Sequence, residues 1–254
     1  KIIDNLYSGD FYLIKNAFST SFLNRIKKGC FEHFSNSPST FYKMLEGTPD
    51  FQRKIDIETG KKYSFKRCSH SFYFYRWNND PLNLFGEIDK KWRLVKKLMG
   101  LDFNAYEKNT PKDGVIDRVQ LVKYPSSIGF LEPHSDPYKY QKLFISGYMS
   151  KKDQDFTGLG FYLIDQNDKI VEIENDIDIG DVGLGYATVQ HGVAPVNINK
   201  NPDWDDINDG RWFLSMYSNQ SDEVKERHTG HSLENTVDII NQTDYQIRPI
   251  IKHA

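Results

Sequence analysis

From residue 115 to residue 217 short apolar segments recur at roughly 10–20-residue intervals with turn residues between them, and that rhythm fits an antiparallel sandwich or barrel. Val115–Tyr124 alternates loosely and stops at Pro125. Apolar strands follow at 143–149 and 158–164, a short one at 170–173, and Gly180-Asp181-Val182-Gly183 opens another. Residues 187–193 carry His191, and 211–217 close the series. Ahead of them, residues 11–16 read as a strand. Ser19 is a fitting N-cap for a helix through Phe34, with Leu23, Ile26, Cys30 and Phe34 on one face. Residues 36–64 are polar and turn-rich and carry no assignable period. The aromatic run 71–77 suits a strand. A second amphipathic helix spans about 84–99, with Ile88, Trp92, Val95 and Met99 on one face and Gly100 to stop it.

These elements predict an α+β, mainly β chain: a double-stranded β-helix (jelly-roll, cupin-like) core buttressed by N-terminal helices. No linker or low-complexity tract divides the 254 residues, so a single catalytic domain is expected over 1–254. Within it, 1–113 would form helical and irregular support and substrate cover, 114–220 the β-helix core, and 221–254 a tail or packed arm. Aromatics make up 14% of the chain, enough to fill a core despite few aliphatics. With 33 basic against 35 acidic residues there is no cationic field, which argues against nucleic acid as a partner. No run of about 18 apolar residues suggests a membrane span. Residues 1–4 lack the apolar core of a secretory signal, and Cys30 and Cys68 have no metal-binding spacing. Free thiols and a cytoplasmic location are expected.

Within this β-rich half, His134-Ser135-Asp136, then His191, then Arg211 carry the chemistry. His-x-Asp places an imidazole and a carboxylate on one side of an extended strand. A second His from a distant strand completes a 2-His-1-carboxylate face, which leaves adjacent positions on a metal open for cosubstrate and O2. His33, His228, His231 and His253 lack such a partner pattern and read as surface or hydrogen-bonded residues. Arg211 offers a planar fork for a carboxylate. Lys142, just after His-x-Asp, is a rival for that role.

The segment 119–136, ending Glu132-Pro133-His134-Ser135-Asp136, resembles the metal-binding strand of prolyl-4-hydroxylase-like Fe(II)/2-oxoglutarate dioxygenases. Further matches come in that family's order: the strand 143–149, a glycine pair before Phe161-Tyr162, the Gly180-Asp181 turn, His191-Gly192-Val193-Ala194-Pro195-Val196, and Gly210-Arg211-Trp212 through Tyr217. The likeness covers roughly 115–218. It departs at Arg211, where many prolyl hydroxylases carry Lys, and 197–209 reads as an insertion. The resemblance implies a hydroxylase with His134, Asp136 and His191 on Fe(II), Arg211 on the 5-carboxylate of 2-oxoglutarate, and O2 as co-reactant. Tyr124, Gln120 and Ser215 would assist cosubstrate binding. Arg118, Glu132, Tyr138, Tyr148 and Trp204 are expected to line the substrate mouth, with Arg76 and Trp77 as further candidates. Lys61, Lys62, Lys66 and Arg67 read as a solvated basic loop, and 165–181 as a polar hairpin in which Asp181 serves the turn. A small-molecule substrate of amino-acid or natural-product type is expected. A peptidyl hydroxylase, a cupin-like metal enzyme without 2-oxoglutarate and a non-catalytic β-sandwich binding module stand as alternatives, and the sequence leaves oligomeric state open.

Overall fold

The computed structural model describes residues 1–232 and 251–253. The helices are α1 (Ile2–Tyr7), α2 (Thr20–Phe34), α3 (Ile57–Gly60) and α4 (Phe85–Leu98). The strands are β1 (Phe11–Ile14), β2 (Phe51–Ile55), β3 (Arg67–Tyr75), β4 (Val115–Tyr124), β5 (Phe130–Ser135), β6 (Leu143–Tyr148), β7 (Phe161–Ile164), β8 (Ile170–Glu172), β9 (Val182–Tyr186), β10 (His191–Val193), β11 (Arg211–Gln220), β12 (His231–Ser232) and β13 (Ile251–His253). They join in one curled sheet, in the order β13-β1-β9-β6-β11-β4-β3-β5-β10-β7-β8, with β2 on β3 and β12 on β5. Every pairing is antiparallel except β1 with β13.

Both predicted helices form, for the reasons the sequence suggests. The Ser19 hydroxyl accepts the Phe22 amide at 3.2 Å and caps α2. The Asp80 carboxylate accepts the Leu84 and Phe85 amides at the start of α4, and Gly100 leaves its end at φ +75°. Their apolar faces pack on the outer surface of β3, β4 and β11, where Phe72, Phe74, Val119, Leu121, Trp212 and Leu214 meet Leu23, Ile26, Phe34, Ile88 and Trp92. Each such fully buried side chain contributes roughly 1.5–3 kcal/mol of transfer free energy. A buried charge cluster also fastens α4 to β4: Asp117 accepts from Lys96 at 2.6 Å, from Arg76 at 2.9 Å and from the Ser218 hydroxyl at 2.7 Å. Burial alone would leave that carboxylate intolerable; the two cations and the hydroxyl satisfy it.

Strand alternation then turns the other residues of β4 and β11 inward. Val122, Tyr124, Phe144, Tyr148, Phe161, Leu163 and Val193 form an inner core between the two walls of the curled sheet. Residues 1–113 do more than buttress, because β1, β2 and β3 are members of the sheet, and β3 bridges its two walls by pairing with both β4 and β5. The polar stretch 36–64 hides β2 and α3, which the mixed pattern Phe-Gln-Arg-Lys-Ile does not announce. Within 221–254, β12 pairs with β5 and β13 with β1, and residues 233–250 and 254 lie outside the described residues. Cys30 and Cys68 are both buried free thiols.

Candidate metal centre

Antiparallel pairing of β5 with β10 sets His134 directly across from His191, with ring centroids 4.4 Å apart. Asp136 lies just past the end of β5, where its amide donates to the Ala187 carbonyl at 2.8 Å and bends the chain back. Its carboxylate thereby reaches both rings, with Oδ1 3.6 Å from His134 Nε2 and Oδ2 3.8 Å from His191 Nε2. One donor atom from each of the three residues falls within 4.8 Å of the others, the only such metal-capable group among the described residues.

Both imidazoles are held in the tautomer a metal needs. His134 Nδ1 lies 2.9 Å from the Glu132 carbonyl and His191 Nδ1 2.9 Å from the Val189 carbonyl. A carbonyl only accepts, so each Nδ1 carries the proton and each Nε2 presents a lone pair to the centre. Burial, with His134 alongside, pushes the His191 imidazole down to about 4, so it is neutral and ready to ligate at pH 7. Burial works to raise the Asp136 carboxyl, but the adjoining His134 and His191 rings and the nearby Tyr217 hydroxyl outweigh it and hold the group below its ordinary value. Phe65 stacks on His134 at 4.3 Å and Phe144 packs on His191 at 4.4 Å, fixing both rings.

The triad opens on a cavity of about 280 Å³ whose floor is Arg211. Arg211 starts β11, opposite Tyr124 on β4, and is 1% exposed. Its Nε donates to Glu174 Oε1 at 2.5 Å, and its guanidinium lies 5.7 Å from the Tyr148 ring centre. Glu174, 2% exposed, also accepts the Phe161 amide at 2.7 Å. Gly160 makes room for this carboxylate: a Cβ there would sit 2.6 Å from Glu174 Oε1, and its φ of +62° disfavours other residues. The hydroxyls of Tyr124 and Tyr148 are buried beside this cation without a hydrogen-bond partner. Burial pushes the Tyr124 phenol up to about 12, against the pull of Arg67 and Arg211, and raises Tyr148 well above its ordinary value. The free edge of the guanidinium and two unpartnered phenols together offer donors of the kind a carboxylate accepts from.

Gln120 and Ser215 line the cavity as expected, paired across β4 and β11. Arg118 lines it too. Tyr148 is inside the site but at its floor with Arg211 rather than at the mouth, because β6 pairs with β11 in a register that aligns Tyr148 with Phe213. Trp204, Tyr138 and Glu132 are not among the residues that line the cavity. Trp204 lies on the outer face of the sheet, because buried Lys123 points outward from β4 and donates to the carbonyls of Asp203, Trp204 and Asp206, pinning the 197–209 insertion there. Tyr138 packs edge-on against His228, and Glu132 faces Lys66 at the rim at 3.9 Å. Arg76 is consumed by Asp89 and Asp117, and Trp77 donates to the Thr48 carbonyl. Lys142 is exposed over Tyr7 and is no rival to Arg211. Arg67, which the sequence groups with a solvated loop, instead begins β3 and turns into the cavity, whereas Lys61, Lys62 and Lys66 are exposed. Asp181 serves its turn as expected, accepting from Lys15, Asn16 and Asp178.

Glu174 and Tyr217 are two site residues that the sequence does not single out. Tyr217 is on the Arg211 face of β11, and its hydroxyl lies near Asp136 without a hydrogen bond of good geometry; burial and that carboxylate raise its phenol well above its ordinary value. The face period of two would have placed it there. The signal for Glu174 is Gly160.

No protein-family model and no curated protein matches the sequence. The structure is similar to a prolyl-4-hydroxylase from Pseudomonas putida, with TM-score 0.51 and 11% identity over 87% of this chain and 96% of that one. It is equally similar to a 2OG-Fe(II) oxygenase family protein from Caulobacter crescentus, with TM-score 0.51 and 11% identity over 97% and 88% of the two chains. A viral collagen prolyl hydroxylase from Paramecium Bursaria Chlorella virus-1, solved with 2OG, gives 0.50 and 11% over 87% and 99%. The fold is the double-stranded β-helix these oxygenases share.

Proposed function

We propose that the protein is an Fe(II)- and 2-oxoglutarate-dependent oxygenase that hydroxylates an unactivated C–H bond of a small molecule. The observation that carries this reading is the convergence of His134, Asp136 and His191 on one point at the side of a cavity whose floor is a carboxylate receptor. Iron held by that triad would supply O2 chemistry in which one oxygen atom goes to 2-oxoglutarate, giving succinate and CO2, and the other to the C–H bond of the substrate, giving an alcohol. The chain's own residues provide the rest. Both imidazoles turn Nε2 to the centre, His191 is held neutral by its burial, and the Asp136 carboxyl is held below its ordinary value, so the triad is arranged to ligate. Arg211 and the hydroxyls of Tyr124 and Tyr148 would hold the 5-carboxylate in a buried setting, where charge-assisted hydrogen bonds are strong.

A modest cavity favours a small substrate. At about 280 Å³ it lies near the lower end for ligand pockets, and both cosubstrate and substrate must share it. Two segments crowd its entrance: Phe65 stacks on His134, and Gly230 sits so near Phe65 and the Ser135 carbonyl that a Cβ would come within about 3 Å of both. The test is succinate formation from 2-oxoglutarate by anaerobically iron-loaded protein on admission of air. Metal-dependent succinate that disappears in His134→Ala and Asp136→Ala supports the reading. Succinate from wild type and triad variants alike refutes it.

A further inference from the structure

The structure assigns Arg118 as the receptor for an anionic group on the substrate: a carboxylate, or a comparable monoanion, borne by an apolar body. This deepens the oxygenase reading above and rests on it. Arg118 lies on the inner face of β4, in register with Tyr75 on β3 and Tyr217 on β11. Its guanidinium sits 5.5 Å from the Tyr73 ring centre and 6.0 Å from that of Tyr217. Its Nε is shielded from solvent and has no hydrogen-bond partner, and Nη1 has only the Met44 sulfur at 3.9 Å. No carboxylate among the described residues comes within ion-pair distance of it. Asp222, the acidic residue on the same wall, is taken by Arg227 at 2.8 Å and by the Met44 amide at 2.6 Å. The side chain is half-buried, so its guanidinium is incompletely hydrated as well as unpaired, and aromatic faces compensate it only in part.

Charge balance points the same way. A divalent metal on Asp136 and a dianionic cosubstrate on the Arg211–Glu174 pair together leave one negative charge in the floor. Arg67, whose guanidinium acts on Tyr124, lies 5.8 Å from the Tyr63 ring centre and has only the Ser69 and Ser71 hydroxyls as hydrogen-bond partners, would offset it. Arg118 then remains the one unbalanced cation among the described lining residues. Its place suits a substrate contact. Tyr217 touches Arg118 on one side and the neighbourhood of Asp136 on the other, so an anion held by Arg118 lies about one aromatic ring away from the metal position. The apolar body of such a molecule would run along Tyr73 and Tyr217 and bring a C–H bond to the triad.

The experiment uses matched probes: 3-phenylpropionate, 4-phenylbutyrate and hexanoate, each with its primary amide, titrated calorimetrically into protein loaded with Mn(II) and saturated with 2-oxoglutarate. At least one acid is expected to bind about 10- to 100-fold more tightly than its amide, the discrimination that hydrogen bonds to a charged group supply. Arg118→Met should abolish that preference, and Arg118→Gln, the second variant, should do the same. The 2-oxoglutarate affinity of each variant reports whether its cavity is intact. No acid preference in any pair, or a preference that survives in both variants, overturns the assignment. If wild-type Mn(II) protein fails to bind 2-oxoglutarate, the oxygenase reading falls instead, and the same acid–amide comparison on metal-free protein still decides the role of Arg118.

Discussion

The Arg211–Glu174 pair lets stability and cosubstrate binding be separated. Both side chains are at most 2% exposed and meet at 2.5 Å, so Arg211→Met leaves Glu174 as a buried carboxylate with only the Phe161 amide for company. Removing one partner of a buried ion pair costs roughly 3–5 kcal/mol. For a domain of this size each kcal/mol moves the melting midpoint by about 2–4 °C, so a fall of about 6–20 °C is expected. Adding Glu174→Gln removes the stranded charge while keeping an acceptor for the Phe161 amide. Urea unfolding of the double variant should therefore recover most of the loss, with a coupling energy of about 2–3 kcal/mol across the cycle. Binding of 2-oxoglutarate to Mn(II) protein, followed by calorimetry, should be lost in Arg211→Met and should stay lost in the stable double variant. Glu174→Gln alone should bind 2-oxoglutarate at least as well as wild type, since a negative charge beside the incoming carboxylate is gone. A double variant no more stable than Arg211→Met would refute the pairing argument, and a double variant that still binds 2-oxoglutarate would refute the anchor.

Tyr124→Phe and Tyr148→Phe each delete a buried hydroxyl that has no partner in the ligand-free fold, so denaturant unfolding should show stability unchanged or raised by about 1 kcal/mol, while 2-oxoglutarate affinity falls about tenfold; a clear loss of stability would show that these hydroxyls serve the fold. Gly160→Ala should cost about 1–3 kcal/mol, because the backbone is left-handed there and the new Cβ would crowd Glu174 Oε1, and thermal unfolding equal to wild type would contradict this. His70 is 2% exposed and accepts no charge readily: burial, helped by Lys54 and Lys123, pushes it down to about 3. The unfolded chain therefore binds a proton that the folded chain refuses between about pH 6.5 and 3, so stability should fall by several kcal/mol as pH drops through that window. His70→Gln should flatten the curve measured by urea unfolding at a series of pH values, and an unchanged slope would disprove the assignment.

Much of the site is legible in the sequence because its ligands follow strand periodicity. His134 and Asp136 sit two apart, and Arg211, Ser215, Gln120 and Tyr124 fall on inward faces by the same count. The remainder depends on register and on loop anchoring, which no local pattern encodes. Nothing local to Tyr148 says that β6 pairs with β11 so as to set its ring under Arg211, and nothing local to Trp204 says that Lys123 will bind its loop to the outside of the sheet. Glu174 looks like one more charge in an acidic run; its burial follows from the chain folding back against Phe161 and Arg211 at long range. Arg67 falls among exposed lysines by sequence proximity, though it is the first residue of β3 and pairs with Leu131 of β5. The aromatic run 71–77 divides by parity: Phe72 and Phe74 face the helices, while Tyr73 and Tyr75 face the cavity beside Arg118.

On the proposed function, the triad and Arg211 act on one iron and one cosubstrate. This is tested most directly by adding 2-oxoglutarate to anaerobic Fe(II) protein and recording the visible spectrum. A saturable absorption band that requires both iron and 2-oxoglutarate, and is absent in Asp136→Ala, is the predicted result. A featureless spectrum in wild-type protein shown by metal analysis to hold iron, or an equal band in Asp136→Ala, would contradict it.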